Sequence, residues 1–386
     1  MYYGIDLHPT SFTIAYRDEK NKIRTKYFWM KKLADFKKMV KPEDVLAIES
    51  TSNTYWFYDE LKPLVKEVQV VNTIKFKVIA QAAAKTDKLD AKSILEFLEI
   101  GFLPTIRVAS KPIQKLRSLF SIYLLTRRNS TSYKNRIHSL LKSNGLFLKS
   151  KDIFTKAGIL ELRSLELGPE DQFQMDHLLE DVEYYAKKIE DIRQQILSFS
   201  VLYPKEVHLL TQIPGIGLFI ALAIISDIED IEYFKNEKKL CAYLGIVPKV
   251  KESNGKRRDG RMTKAGRKTT RSFLSNAIYT WIDSSEMYKE FYDRKAKEKG
   301  KGKALVAVMR KLIVIIYHML KKGKNYNAVN KEKHEVKLKQ WIKQIDYFRS
   351  LDKAELDKLE TKIRWKYDLQ YQQKIKEKIE KNKICA

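Results

Sequence analysis

Cysteine is almost missing from this 386-residue chain: Cys241 and Cys385 are its only two, which excludes a disulfide framework and a cysteine-built zinc cluster. Histidine is sparse as well. The six histidines are scattered and form neither an HExxH nor a C2H2 spacing, so any metal is expected on carboxylates and should be a hard ion such as Mg2+ or Mn2+. No apolar run reaches the roughly 20 residues that a membrane-spanning helix needs. The opening Met1-Tyr2-Tyr3-Gly4-Ile5-Asp6 lacks the basic-then-apolar pattern of a signal peptide, so the cytoplasm is the expected compartment, with no membrane partner. Acidic charge is in deficit, with 48 Asp and Glu against 75 Lys and Arg and a formal net charge of +27. No fold requires such an excess. It favours a polyanion, and its concentration in particular stretches points to nucleic acid ahead of a merely soluble basic surface.

A hydrophobic fraction of 44% supports globular folding, and the length suffices for two or three domains. Tyr3–Leu7, Ser11–Tyr16 and Ile23–Trp29 alternate and are separated by turn-forming residues, which predicts a three-stranded antiparallel meander. A short helix over Leu33–Val40, a buried strand Val45–Glu49, a helix around Tyr55–Val65, a strand Val68–Val71 and helix from about Lys75 to Ile100 follow. The order βββαβαβα is that of an α/β RNase H-like domain. From about Pro112 to Phe199, interrupted near Gly145 and Gly168-Pro169, two long amphipathic helices are expected, able to pair as a coiled coil. Their role is structural by default, although Arg127, Arg128, Lys134 and Arg136 could track a phosphate backbone.

Leu209 to Gly217 reads as a helix-hairpin-helix, in which Pro214, Gly215 and Gly217 turn the backbone so that amides at the next helix start can face a phosphate. A tight turn that binds nothing is the alternative. Helices are expected over Leu218–Ser226, around Lys238–Leu244, and over Thr269–Trp281 and Ala304–Lys321. The last stretch is lysine-laden helix with few apolar anchors, expected to order on binding a partner.

Four carboxylates carry the first chemical signal. Asp6 ends the first strand and Glu49 the fourth, and in this topology those strands are neighbours; Asp87 and Asp90, three apart, share one face of a helix. At ~4 Å spacing such charges repel by roughly 4 kcal/mol per pair at an effective dielectric near 20, and divalent ions relieve this while polarising a scissile phosphate. Taken singly, each residue is equally well an ordinary cap or solvated charge.

The second signal is Ser253 in the basic, glycine-punctuated run Lys251 to Arg261. Lys251, Lys256, Arg257, Arg258 and Arg261 could neutralise a phosphate under attack by the serine hydroxyl, and Asn254-Gly255 would expose that hydroxyl at a tight turn. No histidine lies nearby in sequence to serve as base, which favours metal activation. Judged alone, the run reads first as a surface β-hairpin whose serine is a turn former and whose arginines only hold DNA. Lys264, Arg267, Lys268 and Arg271 carry the positive charge into a helix start, a further phosphate site.

Gly4-Ile5-Asp6-Leu7-His8, Ala47-Ile48-Glu49-Ser50, Lys85-Thr86-Asp87-Lys88-Leu89-Asp90-Ala91, Ile213-Pro214-Gly215-Ile216-Gly217, and the stretch from Tyr243 through Pro248 to Lys264-Ala265-Gly266 resemble, in order, the DEDD insertion-sequence transposases, a family that includes the Piv-type DNA invertases. The resemblance extends to about residue 325. It implies a RuvC-like DEDD domain over 1–110, a helical coiled-coil linker over 111–205, a mainly α transposase domain with helix-hairpin-helix and serine loop over 206–325, and a basic extension over 326–386. It further implies that Asp6, Glu49, Asp87 and Asp90 bind Mg2+, with Mn2+ as substitute, and that Ser253 forms a phosphoserine–DNA intermediate. The implied partners are DNA at element ends and target, a structured bridge RNA, and further copies of the chain in a dimer or tetramer acting at the nucleoid. Family members often carry Ser-Gly-Gly where this chain has Ser253-Asn254-Gly255; asparagine tolerates the same turn. A RuvC-like endonuclease that hydrolyses with water, and a non-catalytic nucleic-acid scaffold, are the competing expectations.

Overall fold

The computed structural model of the chain describes residues 1–79, 86–148, 152–253, 256–263 and 266–348. These divide into two compact units, Met1–Ser110 and the chain from Lys111 onward.

In the first unit, strands β1 (Tyr2–Leu7), β2 (Ser11–Arg17) and β3 (Ile23–Trp29) form the expected antiparallel meander. Helix α1 (Leu33–Lys37) leads to β4 (Val45–Ile48), which pairs parallel to β1 with Ile5 opposite Ile48. Helix α2 (Thr54–Leu61) stops earlier than expected because Pro63, which has no amide to donate, sits in a 3-10 turn over Lys62–Leu64. Strand β5 (Glu67–Val71) continues the parallel half, α3 (Thr73–Ile79) and α4 (Asp87–Glu99) follow, and β6 (Thr105–Ile106) adds a two-residue antiparallel edge that the sequence reading lacked. The result is a mixed six-stranded sheet of order β3-β2-β1-β4-β5-β6.

Period-two alternation gives the sheet two apolar faces. Tyr3, Ile5, Leu7, Phe12, Ile14, Leu46 and Ile48 pack with Phe36 and Phe57 beneath α1 and α2. Phe12 lies at the centre, stacked on Phe28 with ring centroids 5.2 Å apart and edge-on to Phe57 at 5.0 Å. The opposite face, which includes Ala15, Ala47 and Val71, receives Ala91, Ile94, Leu95 and Leu98 of α4.

The second unit is mostly helical. Helices α5 (Lys111–Ser143) and α7 (Pro169–Ser198) pair along their length, with α6 (Lys156–Arg163) between them in sequence. Tyr133 stacks on Tyr185, while Ile137, Leu140 and Leu141 share a core with Met175, Leu179 and Val182; advancing on one helix means retreating on the other, so the pair is antiparallel. Gly145, with φ of 65°, ends the first helix turn-wise, and Pro169 at the first position opens the second.

Helices α8 (Pro204–Thr211) and α9 (Leu218–Ile228) form the next hairpin. Residues Ala221 to Ile228 are all buried, which makes α9 a core helix. Helix α10 (Glu237–Tyr243) precedes strands β7 (Pro248–Ser253) and β8 (Lys256–Met262), and α11 (Thr269–Ile282), α12 (Glu286–Lys299), α13 (Lys301–Lys322) and α14 (Lys331–Phe348) complete the described chain. No helix among the described residues is long and apolar enough to cross a membrane.

The run around Ser253 is a two-stranded antiparallel hairpin, with Lys251 opposite Arg258 and Ser253 opposite Lys256, the β-hairpin that its sequence also offered. One feature differs from the sequence expectation. The lysine-rich extension is packed over α14, because Leu338, Trp341, Ile342 and Ile345 recur at helical spacing and are buried, and Trp341 Nε1 donates to Ser200 Oγ at 2.9 Å.

Candidate active site and nucleic-acid interface

Alternation along β1 sends Ile5 and Leu7 to the α1–α2 face and leaves Gly4 and Asp6 facing α4. Glycine is required at the first of these. A Cβ on Gly4 would lie 2.3 Å from the Ala91 carbonyl oxygen and 2.4 Å from the Leu95 nitrogen, so α4 rests directly on the β1 backbone. That contact holds the first turn of α4, which carries Asp87 and Asp90, near the end of β1. Thr86 caps this turn by accepting from the Leu89 amide. On the neighbouring strand, the Glu49 amide donates to the Ile5 carbonyl at 3.0 Å and continues the β1–β4 ladder, so Glu49 stands beside Asp6.

Asp6 is 2% exposed. Burial pushes its carboxyl up to about 7, assisted by a hydrogen bond with Glu49 and by the charges of Glu49 and Asp87, while His8 opposes the shift. The imidazole is the unexpected participant. His8 Nε2 lies 3.3 Å from Asp6 Oδ2 and 3.4 Å from Asp87 Oδ1, ion pairs when the ring is protonated, though neither contact has hydrogen-bond geometry. One ligand atom from each of Asp6, His8 and Asp87 falls within 4.8 Å of the others. Two carboxylates and an imidazole that converge in this way could hold a divalent cation. The imidazole of His8 thus joins two of the four expected carboxylates in a group that could hold a metal ion. Glu49 and Asp90 stand outside this trio; Asp90 is half-buried in the same first helical turn as Asp87.

In the second unit, Ser253 occupies the last position of β7. Lys251 shares its strand, and Lys256, Arg257, Arg258 and Arg261 lie on β8. Asn254, Gly255 and Lys264 fall outside the described residues. Downstream, a cavity of about 430 Å³ is lined by Arg117, Arg128, Arg267, Lys268 and Thr269, and an adjoining one of about 460 Å³ by Arg128, Lys268, Arg271, Ser272 and Ser275. This is a basic trough at the α11 start. The helix terminus itself is partly spoken for, contrary to expectation: the Thr270 amide donates to Asp227 Oδ2 at 2.7 Å, and Arg271 donates to the Leu244 carbonyl at 3.0 Å. Asp227 is fully buried, and burial raises its carboxyl against the lowering influence of Thr270, Arg267 and Arg117.

The α8–α9 turn contains Pro214, Gly215 and Gly217. Gly215 has φ of +81°, and a Cβ there would meet the Ala277 carbonyl oxygen at 2.5 Å, so both conformation and packing demand glycine. Gly217 is the N-cap of α9, in an extended conformation.

Residues 3–144 match a family model described as "Transposase", of the DEDD type, and residues 207–293 match the "Transposase IS116/IS110/IS902 family". The chain belongs to the DEDD family of insertion-sequence transposases. Among its relatives, the transposase for insertion sequence element IS1111A of Coxiella burnetii is 22% identical over 251 residues, 63% of this chain and 69% of the relative. The transposase for insertion sequence element IS1328 of Yersinia enterocolitica is 22% identical over 291 residues, 73% of this chain and 84% of the relative. The pilin gene-inverting protein of Moraxella bovis is 26% identical over 154 residues, 38% of this chain and 48% of the relative.

Within this DEDD transposase, Asp6, Glu49 and Asp87 come together on one face of the first sheet, and the serine hairpin and basic trough belong to the other unit. Sequence reasoning missed His8 and Asp227. His8 follows Asp6 by two, the same-face spacing of a strand, and that spacing was the available signal. Asp227 gave none, being one polar residue inside an otherwise apolar helix.

Proposed function

We propose that this DEDD transposase cuts and rejoins DNA by phosphoryl transfer through Ser253, assisted by a divalent cation held by Asp6, His8 and Asp87 with Glu49 and Asp90 beside them. The observation that carries this reading is the convergence of Asp6, His8 and Asp87, one ligand atom of each within 4.8 Å of the others, in a chain whose relatives are named transposases and a gene-inverting protein. When bound, the cation supplies charge neutralisation and polarisation of a phosphate oxygen.

The protein's own groups do the rest. The Ser253 Oγ forms a bond to phosphorus while one P–O bond of the DNA strand breaks, leaving a phosphoserine ester and a free hydroxyl end. The serine proton leaves to a base, and a proton of equal count returns to the departing oxygen. Attack by the hydroxyl of another strand then reverses the step and releases the serine, so no external energy source is needed. Lys251, Lys256, Arg257, Arg258 and Arg261 offset the phosphate charge near the serine, and the trough of Arg128, Arg267, Lys268 and Arg271 with the Pro214–Gly217 turn holds the backbone. The RuvC-like character of the sheet, the four-part division at 110, 205 and 325, selection of donor and target by a bridge RNA, and assembly as a dimer or tetramer belong to the same reading. It is supported by the strand order and by the family.

The test is expression with the DNA and RNA that flank the gene, nuclease and protease digestion, and mass spectrometry of the Ser253 peptide. A nucleotide adduct that disappears in Asp6→Ala supports the reading. Free DNA ends without an adduct would replace it with a water-using RuvC-like endonuclease, and metal-independent binding without ends or adduct with a scaffold.

A further inference from the structure

The α8–α9 turn is met from outside by one side chain. Lys337 on α14 donates to three main-chain carbonyls of the turn, at 2.7 Å to Thr211, 3.0 Å to Ile213 and 2.9 Å to Ile216. An ammonium has three N–H donors and no acceptor, so the three carbonyls satisfy it completely. They converge because Gly215, with its positive φ, reverses the chain between Ile213 and Ile216. Thr211 is the last residue of α8, where unpaired carbonyls and the negative end of the helix dipole favour a cation.

The lysine is delivered by rigid packing rather than by reach. Gln212 donates to Asn325 at 2.9 Å and accepts from the Tyr326 amide at 2.8 Å, while Trp341 further along α14 is buried against Ser200. Among the described residues no carboxylate lies within ion-pair distance of Lys337, and its acceptors are these three carbonyls; burial lowers the ammonium to about 8. A cavity of about 530 Å³ opens beside it, lined by Pro214, Gly215, Lys333 and Lys337 among others.

A ring of neutral carbonyl oxygens around one monovalent positive centre is the environment in which proteins replace the hydration shell of potassium. Ammonium and potassium are nearly equal in size, lithium is far smaller, and Mg2+ demands a tighter octahedron than these carbonyls offer. We propose that the hairpin turn is a monovalent-cation site whose resident cation is the protein's own Lys337 ammonium, making the turn's positive charge at a phosphate backbone independent of dissolved potassium. The phosphate part rests on the hairpin reading given under Proposed function; the cation site does not.

The test uses the full chain as wild type, Lys337→Met and, as a control for lost surface charge, Lys333→Met. Methionine keeps an unbranched apolar stem in place of the lysine stem and removes only the ammonium. Thermal melting is followed in chloride salts of potassium, ammonium, lithium and tetramethylammonium at equal ionic strength. Wild type and Lys333→Met should melt alike in all four. Lys337→Met should melt higher in potassium and ammonium than in lithium or tetramethylammonium, by about 3–5 °C for a tenfold excess of ion over its dissociation constant. Equal melting of Lys337→Met in every salt, or the same selectivity in either control, overturns the site. Should Lys337→Met fail to fold, Lys337→Gln is run in the same salts, and absence of rescue by potassium or ammonium in both variants counts against the proposal equally. Binding of a duplex oligonucleotide of arbitrary sequence is measured alongside. Potassium-restored melting without potassium-restored binding keeps the cation site and removes the phosphate role of the hairpin.

Discussion

Asp6 makes the metal-free protein sensitive to pH in a direction opposite to that of carboxylates whose pKa a paired cation lowers. Its carboxyl sits at about 7 in the folded chain against 3.8 in a model carboxyl, chiefly because burial disfavours the charge. Between those values the folded state holds one proton that the unfolded state has released, so raising the pH draws the equilibrium toward unfolding. The favourable contribution is complete below about pH 4 and is lost as pH rises through about 7. Integrated from pH 5 to 8, that loss is about 2–3 kcal/mol, on the order of a hundredfold in local opening. Hydrogen exchange of the β1 and β4 amides, corrected for intrinsic rate and measured in a chelator, reads it directly. Asp6→Asn, which cannot ionise, should abolish the slope. A divalent ion displaces the proton, so Mg2+ or Mn2+ should protect these strands at pH 8 far more than at pH 5. An Asp6→Asn variant with the wild-type pH slope refutes the reasoning.

Gly4→Ala should displace α4, since its Cβ falls 2.3 Å from the Ala91 carbonyl; a loss of about 1–3 kcal/mol is expected, with weaker Mn2+ binding by calorimetry. Asp227→Asn should be tolerated, because the amide oxygen can still accept from the Thr270 amide, whereas Asp227→Ala strands that amide and should cost about 1–3 kcal/mol in urea denaturation. Trp341→Ala should destabilise the second unit by about 3–5 kcal/mol and lower the melting transition. With ~6 phosphate contacts, duplex affinity should fall about a thousandfold between 50 and 200 mM salt in a filter-binding titration.

The first unit was legible because its strands obey one rule at a time. Tyr3, Ile5 and Leu7 alternate with Gly4 and Asp6, and the meander fixes β1 as the neighbour of β4, which is enough to bring Asp6 beside Glu49. Strand β6 was illegible, since two residues carry no period, and α12 has no buried residue to mark a face. α14 was hidden by lysine abundance, although four apolar residues anchor it. At the site, motif spacing located the carboxylates but could not show that Nε2 of His8 would lie between Asp6 and Asp87. Nor could any local pattern announce Lys337, which acts on carbonyls more than 120 residues away in sequence.

The antiparallel α5–α7 pair works as a ruler. Thirty-three residues at a rise of about 1.5 Å give α5 a reach of about 50 Å. Its two ends have separate footings: Phe120 and Tyr123 near the start clasp Phe219 and Phe273, while the far end has its own core around Ile137, Leu162 and Met175. The distance between the two footings is therefore set by residue number and not by side-chain chemistry. Excising seven residues from the middle of each helix, two full turns in register, would bring them about 10 Å closer and leave both intact.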